Sequence, residues 1–307
     1  MSSRLRDEVI LAIDIGGTKM AAGLVDAAGE LGHQAQVPTP ADGTGDGLFG
    51  VLAELVDSVR AEAGLAEVVG VGVGCGGPMA SGGATVSPVN IPAWRGFPLR
   101  ARLVEHTGLS VLVDNDAKAL ASAEGWVGGA VGRPCFLAMV VSTGVGGGIV
   151  LDGRLLDGAA GNAGHIGHVI VEPDGRPCGC GARGCLEAEA SGTAIAVATG
   201  GPASEAGPEV VERTGRLVGR AVASVANLLD LDLALVAGSV ALGFGAAFFD
   251  AAQAEIDQRA RLDFSAGTRI EPAALGAAGP LIGAAAVGWR GAGRPVGLFA
   301  ADRERAR

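Results

Sequence analysis

The chain has 307 residues, 49% hydrophobic and 18% charged, enough apolar material for two modest domains and too much for a disordered chain. A formal net charge of −10 excludes a general nucleic-acid or anionic-membrane binder, because affinity for phosphate backbones comes from clustered Lys and Arg. The opening MSSRLRDE reads as no signal peptide, and three of the five cysteines lie within eight residues, unlike a secreted disulfide framework; the expectation is a cytoplasmic protein with reduced thiols.

Val9 to Asp14 (VILAID) is an apolar run closed by an acid, which predicts a buried strand leading into the glycine loop DIGGTK, Asp14 to Lys19. Leu48 to Glu62 has helical spacing, and Val68 to Gly74 (VVGVGVG) predicts a second strand. Its glycines run into GVGCGG, Gly72 to Gly77, a match to the dinucleotide fingerprint G-x-G-x-x-G. That fingerprint needs an acid about 20 positions further on. No Asp or Glu lies between Glu67 and Glu105, and Pro78 discourages the helix that the motif opens. The phosphate loop G-x-x-x-x-G-K-S/T is absent, which argues against a P-loop kinase.

A helix over Leu99 to Thr107, a strand over Val111 to Asp116 (VLVDND) and a helix over Ala117 to Trp126 follow. The strand LAMVVSTG, Leu137 to Gly144, then enters a second glycine loop, STGVGGGI, Ser142 to Ile149. Val210 to Leu229 carries a helical stripe of Val211, Leu217, Val218, Ala221, Val222, Val225 and Leu228, and a strand LALVAGSV, Leu233 to Val240, comes after it. The uncharged stretch Leu233 to Phe249 is short of a membrane span and reads as strand, glycine turn and helix start. Strands alternating with helices predict an α/β fold with ligands beyond the carboxyl ends of the strands. No tandem repeat is visible.

Either glycine loop alone is explained by a turn between two strands. Together they suit an ATP phosphate chain, since each joins a strand end to small residues and a hydroxyl. Asp14, Gly16, Gly17, Thr18 and Lys19 in the first, and Thr143, Gly144, Gly146 and Gly147 in the second, are the nucleotide and Mg²⁺ candidates, with Asp14 holding Mg²⁺ directly or through water. Asp116, where an apolar run becomes a helix, is either the helix N-cap or the carboxylate that accepts a hydroxyl proton during phosphoryl transfer. Asn115 can present an amide to neighbouring hydroxyls.

GHIGHVIVEPDGRPCGCGARGCLE, Gly164 to Glu187, places His168, Cys178, Cys180 and Cys185 in a Cys₃His set suited to tetrahedral zinc, with a disulfide as the alternative. Four protein ligands leave no open position, so the metal is expected to be structural. Holding His168 from one side would fix the other imidazole nitrogen toward a substrate. Cys75 and Cys135 lie in apolar runs and read as buried small residues.

DIGGTK, GCGGP, SPVNIPAW, DNDA, STGVGGG, GHIGH and CGCGARGCLE occur in the order found in the ROK sugar kinases and related repressors, and the chain resembles that family over almost its whole length. The resemblance implies an actin-like, ribonuclease-H-like ATPase fold of two α/β domains with ATP and sugar in the cleft. It places a smaller domain over residues 1–117, joined by a C-terminal helix at about 290–307, and a larger one over 118–289 with a zinc segment at 161–190. It implies Asp116 as general base, Gly77, Asn90, Asn115, His165, His168 and Glu187 around the sugar, Gly238 with the nucleotide, and a homodimer or higher oligomer.

Repressors of the family carry a helix-turn-helix before the first glycine loop, and thirteen residues ahead of Asp14 are too few for one, which favours the kinase branch. The expected reaction moves the γ-phosphate of MgATP to a hexose or amino-hexose hydroxyl, O6 first; the alternative is a non-catalytic, sugar-responsive regulatory or binding protein. His165 stands where glucokinase-like members have Glu. Neutral imidazole both donates and accepts hydrogen bonds, whereas a carboxylate only accepts. The AGHIGH form is similar to that of bacterial N-acetylmannosamine kinases, which points to an amino sugar.

Overall fold

The computed structural model describes residues 7–294 and 296–297. The chain forms two compact units: one runs to Val131, takes in Asp157–Ala163 and resumes at Leu275; the other is Gly132–Leu156 with Gly164–Ala274.

In the first unit, β1 (Glu8–Ile15) forms a hairpin with β2 (Lys19–Asp26), and β3 (Leu31–Pro38) extends it antiparallel. After α1 (Gly45–Ala61), β4 (Glu67–Cys75) pairs parallel to β1; after α2 (Leu99–Thr107), β5 (Val111–Asn115) pairs parallel to β4 and leads into α3 (Asp116–Val127). Val9 to Ile13 are fully buried without alternation, as a central strand covered on both faces requires. Thr44 starts α1, its hydroxyl accepting from the Gly47 amide at 3.1 Å.

The second unit repeats this plan. β6 (Phe136–Val141) forms a hairpin with β7 (Val145–Leu151), and β8 (Arg154–Leu155) extends it. Then come α4 (Leu186–Ala190), α5 (Gly192–Thr199) and α6 (Pro208–Leu229), before β9 (Leu233–Ala237) pairs parallel to β6. α7 (Ser239–Phe244) and α8 (Ala246–Arg259) precede β10 (Arg269–Pro272), parallel to β9. The sheet orders β3-β2-β1-β4-β5 and β8-β7-β6-β9-β10 correspond strand for strand, a duplication the sequence did not reveal.

α9 (Gly279–Gly291) belongs to the first unit. It lies so close to β4 that a Cβ on Gly72 would sit 1.9 Å from the Ala284 carbonyl oxygen, and one on Gly288 would sit 2.5 Å from Ile10 Cγ2. Gly72, the first glycine of the dinucleotide-like match, thus serves helix packing. The boundary expected near residue 117 falls inside α3, which is buried from Ala117 to Gly125, packs on α9 and β5, and stays with the first unit. Much of the C-terminal helix expected at about 290–307 lies outside the described residues.

On α6, Leu217, Val218, Ala221, Val222 and Val225 are buried as the stripe predicts, whereas Leu228, at the last turn, is exposed. No helix among the described residues is long and apolar enough to cross a membrane; Leu233 to Phe249 is β9, a turn at Gly238, α7 and the start of α8.

Candidate active site

Both glycine loops are turns of antiparallel hairpins. In the first, the Gly16 amide donates to the Lys19 carbonyl at 3.0 Å, and Thr39 straps the turn: its hydroxyl donates to the Gly16 carbonyl at 2.7 Å and its amide to that of Thr18 at 3.0 Å. Gly17 leaves room for Asn90, whose Cβ would lie 2.5 Å from a Cβ on that glycine. Lys19 opens β2, its amine 3.3 Å from Gln36 Oε1. Gly77 precedes Pro78 through a cis peptide bond just beyond β4.

Asp14 and Asp116 flank Gly74 at the end of β4: a Cβ there would lie 3.8 Å from Asp14 Oδ1 and 3.7 Å from Asp116 Cα. Burial raises the Asp14 carboxyl from 3.8 to about 7, the Asp116 charge adds to the rise, and Lys19 opposes it. Cys75 is fully buried, and burial followed by the same two carboxylates pushes its thiol up. Cys135, expected buried, is only half-buried and accepts from the Asp152 amide at 3.5 Å.

The cap of α3 is Asn115, not Asp116. Asn115 Oδ1 accepts from the amides of Ala117 at 3.0 Å and Lys118 at 3.4 Å, so its Nδ2 is the end left for a ligand. Asp116 is the first helical residue, exposed, with Oδ1 accepting from the Ala117 amide at 2.8 Å.

Sequence reasoning missed Lys118. It is 3% exposed, with its amine 3.0 Å from Asp114 and 2.5 Å from Asp157; Arg290 holds the other Asp114 oxygen at 2.6 Å. The amine also reaches the Gly161 carbonyl at 3.4 Å, which fastens the segment Asp157–Ala163 to the start of α3. The available signal was Asp114 and Lys118 at i and i+4 with the lysine inside an otherwise small and apolar run.

In the second unit the turn Ser142–Gly144 joins β6 to β7. Its carbonyls point inward: that of Ser142 accepts from the Gly192 amide at 2.7 Å, that of Thr143 from the Thr193 hydroxyl at 2.9 Å, and that of Gly144 from the Ser142 amide at 2.9 Å. Gly146 and Gly147 lie within β7, paired with Val140 and Met139. Gly147 has a packing reason of its own, since a Cβ would meet Ile166 Cγ2 at 2.9 Å and the Gly164 carbonyl at 3.0 Å. A cavity of about 700 Å³, lined by residues that include Ser142, Thr143, Thr193, Ala203, Ser239 and Phe244, adjoins the turn, and none of its lining side chains is charged. Gly238 precedes α7 at φ 103°, where a Cβ would lie 2.3 Å from the Val141 carbonyl.

The Cys and His residues converge. His168 Nδ1 is 3.7 Å from Cys178 Sγ, Cys180 Sγ is 3.7 Å from Cys185 Sγ, and all four ligand atoms lie within 4.8 Å of one another. Two zinc–sulfur bonds of about 2.3 Å at a tetrahedral angle separate their sulfurs by about 3.8 Å, so the donor set fits that metal. All five cysteines are free thiols. Burial, then the Cys178 and Cys180 thiols, push Cys185 up to about 12, while the Ala182 amide and then Cys178 pull the Cys180 thiol down. His165 and His168 are exposed with ring centroids 6.0 Å apart. Glu187, in the first turn of α4, accepts from the Val145 amide at 2.9 Å.

The ROK family model matches residues 10–289. The chain belongs to the ROK family. It is 37% identical over 252 residues to the N-acetylmannosamine kinase of Shigella flexneri, spanning 77% of this chain and 84% of that one. The ROK hexokinase of Thermus thermophilus superposes with a TM-score of 0.80 at 34% identity, covering 92% of this ROK chain and 98% of the other. A ROK family glucokinase from Streptomyces griseus, solved with glucose and AMPPNP, gives 0.80 at 30% identity over 92% and 99%. The fold is the actin-like ATPase fold.

Proposed function

We propose that this ROK protein is an ATP-dependent sugar kinase that transfers the γ-phosphoryl group of MgATP to a hexose or amino-hexose hydroxyl, O6 first. The observation that carries the reading is Asp116: exposed, relieved of the capping role by Asn115, and beside Asp14 at the end of β4. Asp116 takes the proton of the sugar hydroxyl as its oxygen attacks the γ-phosphorus in line; the bond to the β-phosphate oxygen breaks and ADP leaves. Asp14 is assigned to Mg²⁺, which offsets phosphate charge when bound. Gly16, Gly17, Thr18, Lys19, Thr143, Gly144, Gly146, Gly147 and Gly238 are assigned to the nucleotide, and the uncharged cavity beside Ser142 suits its base.

The sugar is assigned to Gly77, Asn90, Asn115, His165, His168 and Glu187. Both the likeness to an N-acetylmannosamine kinase and an imidazole at position 165 support an amino sugar as the acceptor. Zinc held by His168, Cys178, Cys180 and Cys185 would be structural, fixing the His168 ring through Nδ1 and leaving Nε2 for substrate. A cytoplasmic homodimer or higher homo-oligomer completes the reading.

ADP release with a panel of N-acetylmannosamine, N-acetylglucosamine, glucose, mannose, fructose and 3-amino-glucose tests it, with an amino sugar expected to give the highest kcat/KM. Release with no sugar on the panel, from protein that binds one of them, would turn the reading to a sugar-responsive regulator. Elemental analysis is expected to find about one zinc per chain.

A further inference from the structure

Glu187 has two neighbourhoods. The family resemblance sets it beside the sugar, yet its Oε2 accepts from the backbone amide of Val145 at 2.9 Å, at the exit of the second glycine turn. Gly144 is packed against the same oxygen, which would lie 2.8 Å from a Cβ placed there. The turn is therefore held from both ends. α5 takes two of its carbonyls, through Gly192 and Thr193, and the first turn of α4 takes its last amide, through Glu187.

This arrangement decides what the turn can offer a ligand. With the carbonyls of Ser142, Thr143 and Gly144 all accepting within the protein, and the amides of Ser142 and Val145 already donating to Gly144 and Glu187, the groups left for an anion are the amides of Thr143 and Gly144 and the Thr143 hydroxyl. A rotation of the Gly144–Val145 peptide would turn a carbonyl toward the anion instead, and the bond to a charged acceptor resists that rotation. A carboxylate so close to a phosphate chain costs repulsion. Its presence therefore needs a compensating role, and holding the turn supplies one.

We infer that Glu187 is a positioning residue for the nucleotide: its carboxylate sets the Thr143–Gly144–Val145 backbone that receives the phosphate chain, apart from any contact it makes to the sugar. This rests on reading the turn as a phosphate loop. It deepens the proposed function by making one side chain answerable to both substrates.

Calorimetric titration of the full chain with Mg²⁺ and a non-hydrolysable ATP analogue, in the absence of sugar, separates the two roles. Glu187→Ala is expected to weaken nucleotide binding by about tenfold at unchanged zinc content. Glu187→Gln, whose Oε1 can still accept from Val145, is expected to stay within about threefold of wild type while its sugar KM rises. Glu187→Asp, one methylene too short for the bond, should follow Ala and replaces it if the Ala variant does not fold. Nucleotide affinity unchanged in Ala or Asp overturns the inference, as does an equal loss in Gln. Failure of the wild type to bind the analogue would instead overturn the reading of the turn.

Discussion

The two sheets share one strand order and one pattern of hairpin and parallel pairing, yet they carry different chemistry. In the first sheet Asp14, near the end of β1, and Asp116 flank Gly74 at the end of β4. At the corresponding end of β6 the chain has the hydroxyls of Ser142 and Thr143, and the adjoining cavity is lined without a charge. A duplicated scaffold thus offers a hairpin turn twice, with a pair of neighbouring carboxylates near the first and a single one, Glu187, tied to the Val145 amide at the second.

Removing the acid should break the comparison most severely. Asp116→Asn is expected to lower turnover by about 10² to 10⁴ while sugar binding persists, measured by ADP release and calorimetry. Turnover near wild type would leave Asp116 no catalytic part.

The next largest effect concerns packing. β4 meets α9 through Gly72, whereas its counterpart β9 reads LALVA, without glycine. Gly72→Val should cost about 3 kcal/mol or more, or prevent folding, because a Cβ there runs into helix backbone that cannot step aside. Denaturant unfolding of Gly72→Val beside Ala234→Val, its analogue region in the second sheet, measures this; equal costs would show that the close approach is not specific to the first unit.

Much of this was legible in the sequence where apolar runs are long. β1, β4 and β6 stand out because strands inside a sheet covered on both faces carry long apolar runs, and the edge strand β5 because its Val111 and Val113 are buried. Their partners β2 (KMAAGLVD) and β7 (VGGGIVL) do not, because small residues carry little strand signal, so the hairpin form of the glycine loops and the duplication appear only in the pairing. DND at residues 114–116 announces a capped helix, but which of the three caps it depends on where β5 ends, at Asn115. The Cys and His spacing announced its cluster outright, while Lys118 belongs to no motif and became visible only through Asp114 and Asp157.

Charge in the first unit gives a third, pH-dependent test. Asp14 holds its proton up to about pH 7 in the fold, against 3.8 ordinarily. Between about pH 4 and 7 the unfolded chain has lost that proton and the folded chain keeps it, so this group's contribution to stability falls as pH rises through that window and is level above it. Asp14→Asn should therefore raise the melting temperature of the ligand-free protein at pH 8, by about 5 °C, and leave it nearly unchanged at pH 4. An equal shift at both pH values would show that the ionised carboxylate is not penalised.

The smallest effect separates how the two turns are held. The second is fastened by α5 and by Glu187, and the first by the Thr39 hydroxyl on Gly16, backed by the Thr39 amide on Thr18. Thr39→Val keeps the amide and the branched shape and removes the hydroxyl bond. It also leaves the Gly16 carbonyl free to turn toward an incoming phosphate. The loss should be about 1 kcal/mol, or roughly a fivefold rise in the KM for ATP, with kcat and the KM for sugar unmoved. Thr39→Ser, which retains the hydroxyl, should restore the wild-type value. If Val and Ser behave alike, the strap does not govern the turn, and the first glycine loop owes its shape to its own Gly16–Lys19 hydrogen bond and to Asn90 packed against Gly17.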